Sequence, residues 1–308
     1  MSDAAPATIV SLIASATEIL CALGLRDRLV GVSHECDFPE DVRGLPVLSA
    51  PKVDPALPGG EIDRQVRQIV AEGLSVYRIR TEELARLRPD LIVTQDQCEV
   101  CAVSLKDVEE AVSALTLKET RVCSLRPDNL EDIAEDFRRV AAAAGVVGRG
   151  EELVALFGDR LARLREKTAQ AARRPAVACL EWLDPLMVAG GWMPELVRIA
   201  GGEPVVVTEA ERFRKVDWGL LAEADPDVIV VMPCGFPIGR TLAELGSPSV
   251  AHPLRSMRAT REGHCFLADG NAYFNRPGPR IADSAEILAG LLHPDIFGGT
   301  STSERWPG

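Results

Sequence analysis

Aromatic residues make up only 5% of this 308-residue chain, and no basic stripe or basic-aromatic motif accompanies them. With a formal net charge of -12, the chain lacks the electrostatic footprint of a nucleic-acid binder, so no nucleic-acid partner is expected. Also missing are a Gly-x-x-x-x-Gly-Lys phosphate loop, a Gly-x-Ser-x-Gly elbow, a His-Glu-x-x-His pair and a strong dinucleotide fingerprint. Their absence argues against nucleotide-driven and common hydrolytic chemistry, and leaves metal chemistry open. No apolar span reaches transmembrane length, so membrane insertion is not expected. The run Thr8 to Leu25 comes nearest, but no Lys or Arg precedes Arg26 and Glu18 interrupts it. It reads as a strand (Thr8 to Leu12) feeding a helix (Ala16 to Leu23), not as a signal peptide, and a cytoplasmic location is the expectation that follows.

What is present suits packed cores: 46% of residues are hydrophobic and 26% charged, and the length allows two domains. One phrase occurs twice. Pro89-Asp90-Leu91-Ile92-Val93 leads to Cys98, and Pro226-Asp227-Val228-Ile229-Val230 leads to Cys234. Each is a Pro-Asp turn, a β-branched strand and then a cysteine past the strand end, with a helical segment before it. In open parallel sheets ligands bind beyond the carboxyl ends of the strands. The repeat therefore predicts two α/β lobes, each with a thiol at its binding edge.

In the first lobe, strands are predicted at Leu29 to Ser33, Leu91 to Thr94 and Arg121 to Ser124. Helices are predicted at Thr81 to Leu87, Val103 to Leu115 and Leu130 to Ala144, with a Pro- and Gly-rich loop from Leu45 to Glu61. Glu151 to Ala172 carries a long helical pattern with a cationic end, either a bridge between lobes or an ordinary surface helix. In the second lobe, strands are predicted at Ala176 to Leu180, Val228 to Val231 and Cys265 to Ala268. Helices are predicted at Met193 to Ile199, Trp218 to Ala224 and Ile281 to Leu292. The boundaries are 1–147 for the N-terminal lobe, 148–174 for the helix and 175–308 for the C-terminal lobe.

Eight cysteines in a reducing compartment read as thiols, ligands or core fillers. Cys98-Glu-Val-Cys101 suits a redox pair, half a zinc site or part of an iron–sulfur site. Cys36, in His34-Glu35-Cys36-Asp37, and Cys234 also follow strands. Cys36, Cys98, Cys101 and Cys234 are thus four candidate metal ligands for zinc or an iron–sulfur cluster, with His34 able to replace one. Cys179 reads as core first. Trp182 offers a flat face for a cleft wall or for the core. Gly190-Gly191-Trp192 reads as a turn allowing close backbone approach. The loop Asp269 to Arg280 gathers Asn271, Tyr273, Asn275 and Arg276, a mixture suited to a polar, even anionic, ligand.

Ser11-Leu12, Thr17-Glu18, Leu23-Gly24-Leu25, Leu29 to Ser33, Asp37-Phe38-Pro39, Arg88 to Ile92, Ala200-Gly201-Gly202, Asp225-Pro226-Asp227 and Pro279-Arg280 run in a familiar order. In that order the chain resembles the vitamin B12 and iron–siderophore substrate-binding proteins of ABC importers, from Thr8 to Leu292. The resemblance implies a periplasmic-binding-protein-like α/β fold of helical-backbone type: two parallel-sheet lobes joined by a long bridging helix, with the ligand between them. It also implies that His34, Asp37, Phe38, Gln95, Gln97, Glu181, Trp182, Asn271, Tyr273, Asn275 and Arg276 border the ligand. The cleft cysteines and the missing export signal depart from the family pattern, and an ABC transporter partner is not expected of an unexported chain.

Three functions follow. The first is a binding protein for a small molecule or cofactor, namely cobalamin or another corrinoid or related metal-containing cofactor. The second is a cytoplasmic metalloprotein or enzyme with a Cys-ligated iron–sulfur or zinc site, where Glu181 or His34 would serve as acid–base groups. The third is a thiol–disulfide switch at Cys98 and Cys101.

Overall fold

A computed structural model describes residues 5–72, 74–96, 105–114, 120–207 and 212–308. The chain divides into two units: residues 1–57, 64–127 and 131–157 form unit 1, and 58–63, 128–130 and 158–308 form unit 2.

Up to the long helix, the chain mostly alternates strand and helix. It runs β1 (Ile9–Ser11), α1 (Ala14–Ala22), β2 (Leu29–Val32), β3 (Ser49–Pro51), α2 (Gly59–Ala71), β4 (Tyr77–Ile79), α3 (Thr81–Leu87) and β5 (Leu91–Gln95). There follow α4 (Leu105–Ala114), β6 (Arg121–Leu125), α5 (Leu130–Ala143) and α6 (Val147–Thr168). A parallel sheet takes the order β2-β1-β5-β6. Every residue of β5 is buried, as expected of a parallel strand covered on both faces, which explains its apolar start Leu91 to Val93. Ile9, Ile19, Leu20, Leu84, Leu91, Ile92 and Phe137 lie in this core. The apolar run Thr8 to Leu25 is thus consumed by β1 and α1. No helix among the described residues is long and apolar enough to cross a membrane.

Past α6 come β7 (Ala176–Leu183), β8 (Leu186–Ala189), α7 (Met193–Ile199), β9 (Glu203–Pro204), β10 (Phe213–Lys215), α8 (Trp218–Ala224), β11 (Val228–Val231) and α9 (Ile238–Glu244). The chain ends with α10 (Pro248–Ser256), α11 (Arg258–Arg261), β12 (Cys265–Ala268), α12 (Ile281–Leu292), α13 (Pro294–Phe297) and β13 (Ser303–Arg305). The sheet order is β10-β8-β7-β11-β12-β13, with β9 beside β7. Its centre, β7-β11-β12, is parallel, and β8, β10 and β13 add antiparallel strands at the flanks. Leu180, Ile229, Val231, Leu254, Cys265 and Leu267 pack in one cluster on this sheet.

The repeated phrase is an architectural device. Helices α3 and α8 both end on a non-glycine residue in the left-handed region, Arg88 (φ 45°) and Asp225 (φ 41°). A proline then bars further helix. The next aspartate reaches back to the first strand of its own sheet. Asp90 Oδ2 accepts the N–H groups of Ala7 (2.8 Å) and Thr8 (2.9 Å) and the Thr8 hydroxyl (3.0 Å). Asp227 Oδ2 accepts the N–H of Ala176 (2.9 Å), while its Oδ1 meets Arg258 at 3.1 Å. These backbone hydrogen bonds hold both carboxyls below the usual aspartate range.

At about 1.5 Å per residue, the 22 residues of α6 span about 33 Å. Its first half is anchored in unit 1, where Phe157 meets Phe137 edge to face at 5.3 Å. Its second half is anchored in unit 2, where Arg160 pairs with Asp283 (2.6 Å) and Glu286 (2.8 Å). The bridging reading of this segment holds, although the helix lies about four residues earlier than Glu151 to Ala172.

Other differences have physical causes. The expected loop from Leu45 to Glu61 contains β3, because Ser49 to Pro51 finds an antiparallel partner in β4, nearly thirty residues on. It also contains the start of α2, whose first N–H group, on Gly59, donates to both Glu244 carboxylate oxygens at 3.1 Å. Strand β7 runs three residues beyond Leu180 because β8 turns back and pairs with it.

Candidate ligand-binding edges

In unit 1, β2 delivers Ser33 and then His34 to the carboxyl edge of the sheet. The His34 backbone N–H donates to Ser49 Oγ (3.1 Å), and its ring Nδ1 lies 2.8 Å from the same oxygen. The ring stacks at a tilt on Tyr77 (centroids 5.3 Å apart), and its Nε2 is 3.9 Å from Glu35 Oε1. Burial, helped by the Arg80 charge, lowers the His34 pKa to about 4, so the imidazole is neutral near pH 7. Phe38 is 45% exposed and supplies an apolar face, while Asp37 gives its backbone carbonyl to Arg43 (3.2 Å). Gln95 is buried at the end of β5. Gln97, Cys98 and Cys101 lie outside the described residues.

Cys36 is not an open thiol. It is 6% exposed, with Thr17 Oγ1 at 3.0 Å and Ser33 Oγ at 3.2 Å from its sulfur. Thr17 Oγ1 is also 2.8 Å from Ser11 Oγ, so four residues from three segments close around the end of β1. Cys234, by contrast, is exposed just past β11. Among the described residues, no group of three or more His, Cys, Asp or Glu could hold a metal ion. The four-cysteine site read from the sequence is therefore not shown. Cys179 is core, as expected, and its burial pushes the thiol up to about 12.

In unit 2, the strand ends of β7, β11 and β12 come together in one loop cluster. Asn275 Nδ2 donates to the carbonyls of Met232 (3.1 Å) and Gly270 (2.9 Å), tying the loop after β12 to the end of β11. The approach is so close that a β-carbon on Gly270 would stand 2.1 Å from the Pro233 carbonyl oxygen. Asp269 Oδ1 accepts the N–H groups of Asn271 (2.9 Å) and Ala272 (2.8 Å), and Arg276 donates to Asn271 Oδ1 (3.0 Å). Trp192 Nε1 donates to the Phe274 carbonyl (2.8 Å), and Gly191 takes the positive φ (56°) that this turn requires. Asn271, Asn275 and Arg276 thus shape the loop as well as offering polar groups. Tyr273 keeps its ring under the Arg280 guanidinium, 5.3 Å away.

Trp182, half-buried near the end of β7, donates Nε1 to the Asp184 carbonyl (2.9 Å) and packs on Phe236 (5.1 Å). Arg240 covers the Phe236 ring at 4.8 Å and pairs with Glu244 at 2.8 Å. Glu181 precedes it on the same strand and is also half-buried. Sequence reasoning missed Ser49, Tyr77, Phe236, Arg240 and Glu244. Ser49, Tyr77, Phe236 and Glu244 act on residues far away in the chain, and Arg240 acts through Phe236 and Glu244, so no local pattern marks them.

A groove of about 720 Å³ lies elsewhere in unit 2, between α6, Tyr273 and the segment around Phe297. Two of its cations are engaged, Arg160 with Asp283 and Glu286, and Lys167 over the Phe297 ring.

Two α/β units, joined through one long helix and carrying polar and aromatic residues at the ends of their parallel strands, define a two-lobed substrate-binding protein. Residues 9–272 match the model of the periplasmic binding protein family, and the chain belongs to that family. It is 23% identical over 278 residues to the vitamin B12-binding protein of Vibrio parahaemolyticus, covering 90% of this chain and 86% of the relative. It is 22% identical over 303 residues to the uncharacterized ABC transporter substrate-binding lipoprotein YvrC of Bacillus subtilis, covering 95% and 82%. The crystal structure of a periplasmic heme binding protein from Pseudomonas aeruginosa shares the fold, with a TM-score of 0.72, 21% identity and 94% of each chain covered.

Proposed function

We propose that this protein binds a large, metal-centred macrocyclic cofactor, a corrinoid in first place, at the strand-end edges that carry His34 and Trp182. The observation that carries the reading is the pair of aromatic assemblies there. His34 and Tyr77 form one, and Trp182, Phe236 and Arg240 form the other. Flat rings beside a few fixed polar groups suit a broad, planar ligand with polar substituents. The vitamin B12-binding relative supports a corrinoid, and the heme binding structure supports the wider class of metal macrocycles.

Titration of the tag-free protein with cobalamin, followed by tryptophan fluorescence, should saturate at one ligand per chain. Trp182→Ala should weaken binding about tenfold or more, as expected for a central aromatic contact. Absence of saturable binding for both cobalamin and heme would refute the reading.

A further inference from the structure

The hydrogen bonds around His34 determine which of its ring nitrogens carries the proton. Ser49 is fully buried in β3, and its hydroxyl has one hydrogen to give. Its oxygen already accepts the His34 backbone N–H. The only acceptor the described residues offer that hydrogen is His34 Nδ1, at 2.8 Å. A buried hydroxyl left without an acceptor is costly, so the Ser49 hydrogen points at Nδ1 and Nδ1 is the accepting nitrogen. A neutral imidazole carries one N–H, which is then on Nε2. Nε2 has no hydrogen-bond partner among the described residues: the Glu35 carboxylate, at 3.9 Å, is beyond reach. The side chain is 21% exposed, so this N–H is available to a ligand.

We propose that His34 is a tautomer-locked Nε2–H donor that reads a neutral acceptor oxygen, a carboxamide carbonyl on the rim of the bound macrocycle, and is not an axial ligand to its metal. A metal ligand needs a lone pair where this ring holds a hydrogen. Among the described residues, two charges act on the ring. Glu35 stands 3.9 Å from the donating atom and repels a carboxylate there, while Arg80 acts through its field alone. The balance at Nε2 therefore favours an amide substituent over a carboxylate. The identity of the acceptor rests on the corrinoid reading above, whereas the tautomer does not.

The two parts are tested separately. Long-range ¹H–¹⁵N spectra of ligand-free protein, assigned by the signals lost in His34→Gln, should show Nε2 protonated and Nδ1 accepting from pH 6 to 8. Ser49→Ala should release the lock and give a mixture of tautomers. A proton on Nδ1, or a spectrum insensitive to Ser49→Ala, overturns the donor assignment whatever the ligand. In cobalamin titrations, His34→Ala should weaken binding about tenfold, whereas His34→Gln, which keeps an N–H near the same place, should stay within about threefold of wild type. Cobalamin derivatives with side-chain amides hydrolysed to carboxylates should bind more weakly to wild type, with the difference shrinking in Glu35→Gln, which removes the repelling charge. Equal binding by His34→Ala and wild type, or a His34-dependent shift of the cobalt absorption bands, overturns the reader role. Failure of cobalamin to bind at all overturns the corrinoid reading and the amide with it, while the spectra still decide the tautomer.

Discussion

Units 1 and 2 begin their repeated strands alike and end them differently. In both, a helix closes on a strained left-handed residue, a proline stops it, and an aspartate ties the next strand to the first strand of the sheet. At the carboxyl ends the likeness stops. Unit 1 finishes on a buried polar nest, with His34 fixed by Ser49 and Cys36 enclosed by hydroxyls. Unit 2 finishes on backbone contacts so tight that Gly270 admits no side chain, and it leaves Cys234 open. The strand starts serve the fold in the same way in both units. The strand ends carry the candidate binding residues, and there each unit has its own chemistry.

The largest test of this contrast is steric. Gly270→Ala places a β-carbon against two backbone carbonyls, at 2.1 Å from Pro233 and 2.5 Å from Met232, which only backbone movement can relieve. A loss of about 3–5 kcal/mol is expected. Gly31→Ala in unit 1 meets the Leu48 and Leu87 side chains, their nearest methyls at 2.7 and 3.0 Å, and about 1–3 kcal/mol is expected. Denaturant unfolding of the two variants would measure the gap, and equal losses would remove the contrast.

Next comes pH, where two groups of unit 1 oppose each other. Burial raises the Asp136 carboxyl to about 7 despite Arg139 at 2.8 Å. The stability it contributes is fully present below about pH 4 and is lost as pH rises through about 7. The His34 pKa is lowered to about 4, so its contribution is present above about pH 6.5 and is lost as pH falls through about 4. Each amounts to about 1–3 kcal/mol. Asp136→Asn should leave stability falling between pH 6.5 and 4, and His34→Gln should leave it rising over the same interval. Unfolding midpoints from pH 4 to 8 would show the opposed slopes, and parallel profiles would contradict the assignment.

Smaller again is the difference between the two clamping aspartates. Asp90 holds three hydrogen-bond donors on Ala7 and Thr8, which lead into the first strand, whereas Asp227 holds one strand N–H and shares Arg258. Asp90→Ala should cost about 1–2 kcal/mol and Asp227→Ala about 1 kcal/mol, both read from denaturant unfolding. The smallest effect concerns thiols and leaves stability nearly unchanged. In native protein Cys234→Ser should remove one fast-reacting thiol, while Cys36→Ser should leave the fast phase intact, as measured with a disulfide reagent. Fast reaction at Cys36 would mean that the hydroxyl enclosure opens.

Much of the architecture is legible from local residue pattern. Strands β11 and β12 and helices α3, α7, α8 and α12 fall where periodicity and Pro-Asp punctuation put them, since their signals lie within a few residues of one another. Strands β3, β8 and β10 were not legible, because each is a short segment that extends by pairing with a partner strand. The site divides the same way. His34, Trp182 and the loop Asn271 to Arg276 stand out as residue types, yet nothing near His34 in sequence points to Ser49.

The sequence by itself determined the two-lobed α/β plan and the strand-end positions of the candidate residues, because hydrophobic period and proline placement act locally. Only the tertiary structure decided their states. It made His34 neutral and oriented, closed Cys36 among hydroxyls, left Cys234 exposed and set Asn275 to tie two strand ends. Burial and hydrogen-bond partners arise from segments tens of residues apart, and a side chain's protonation and reach depend on those partners.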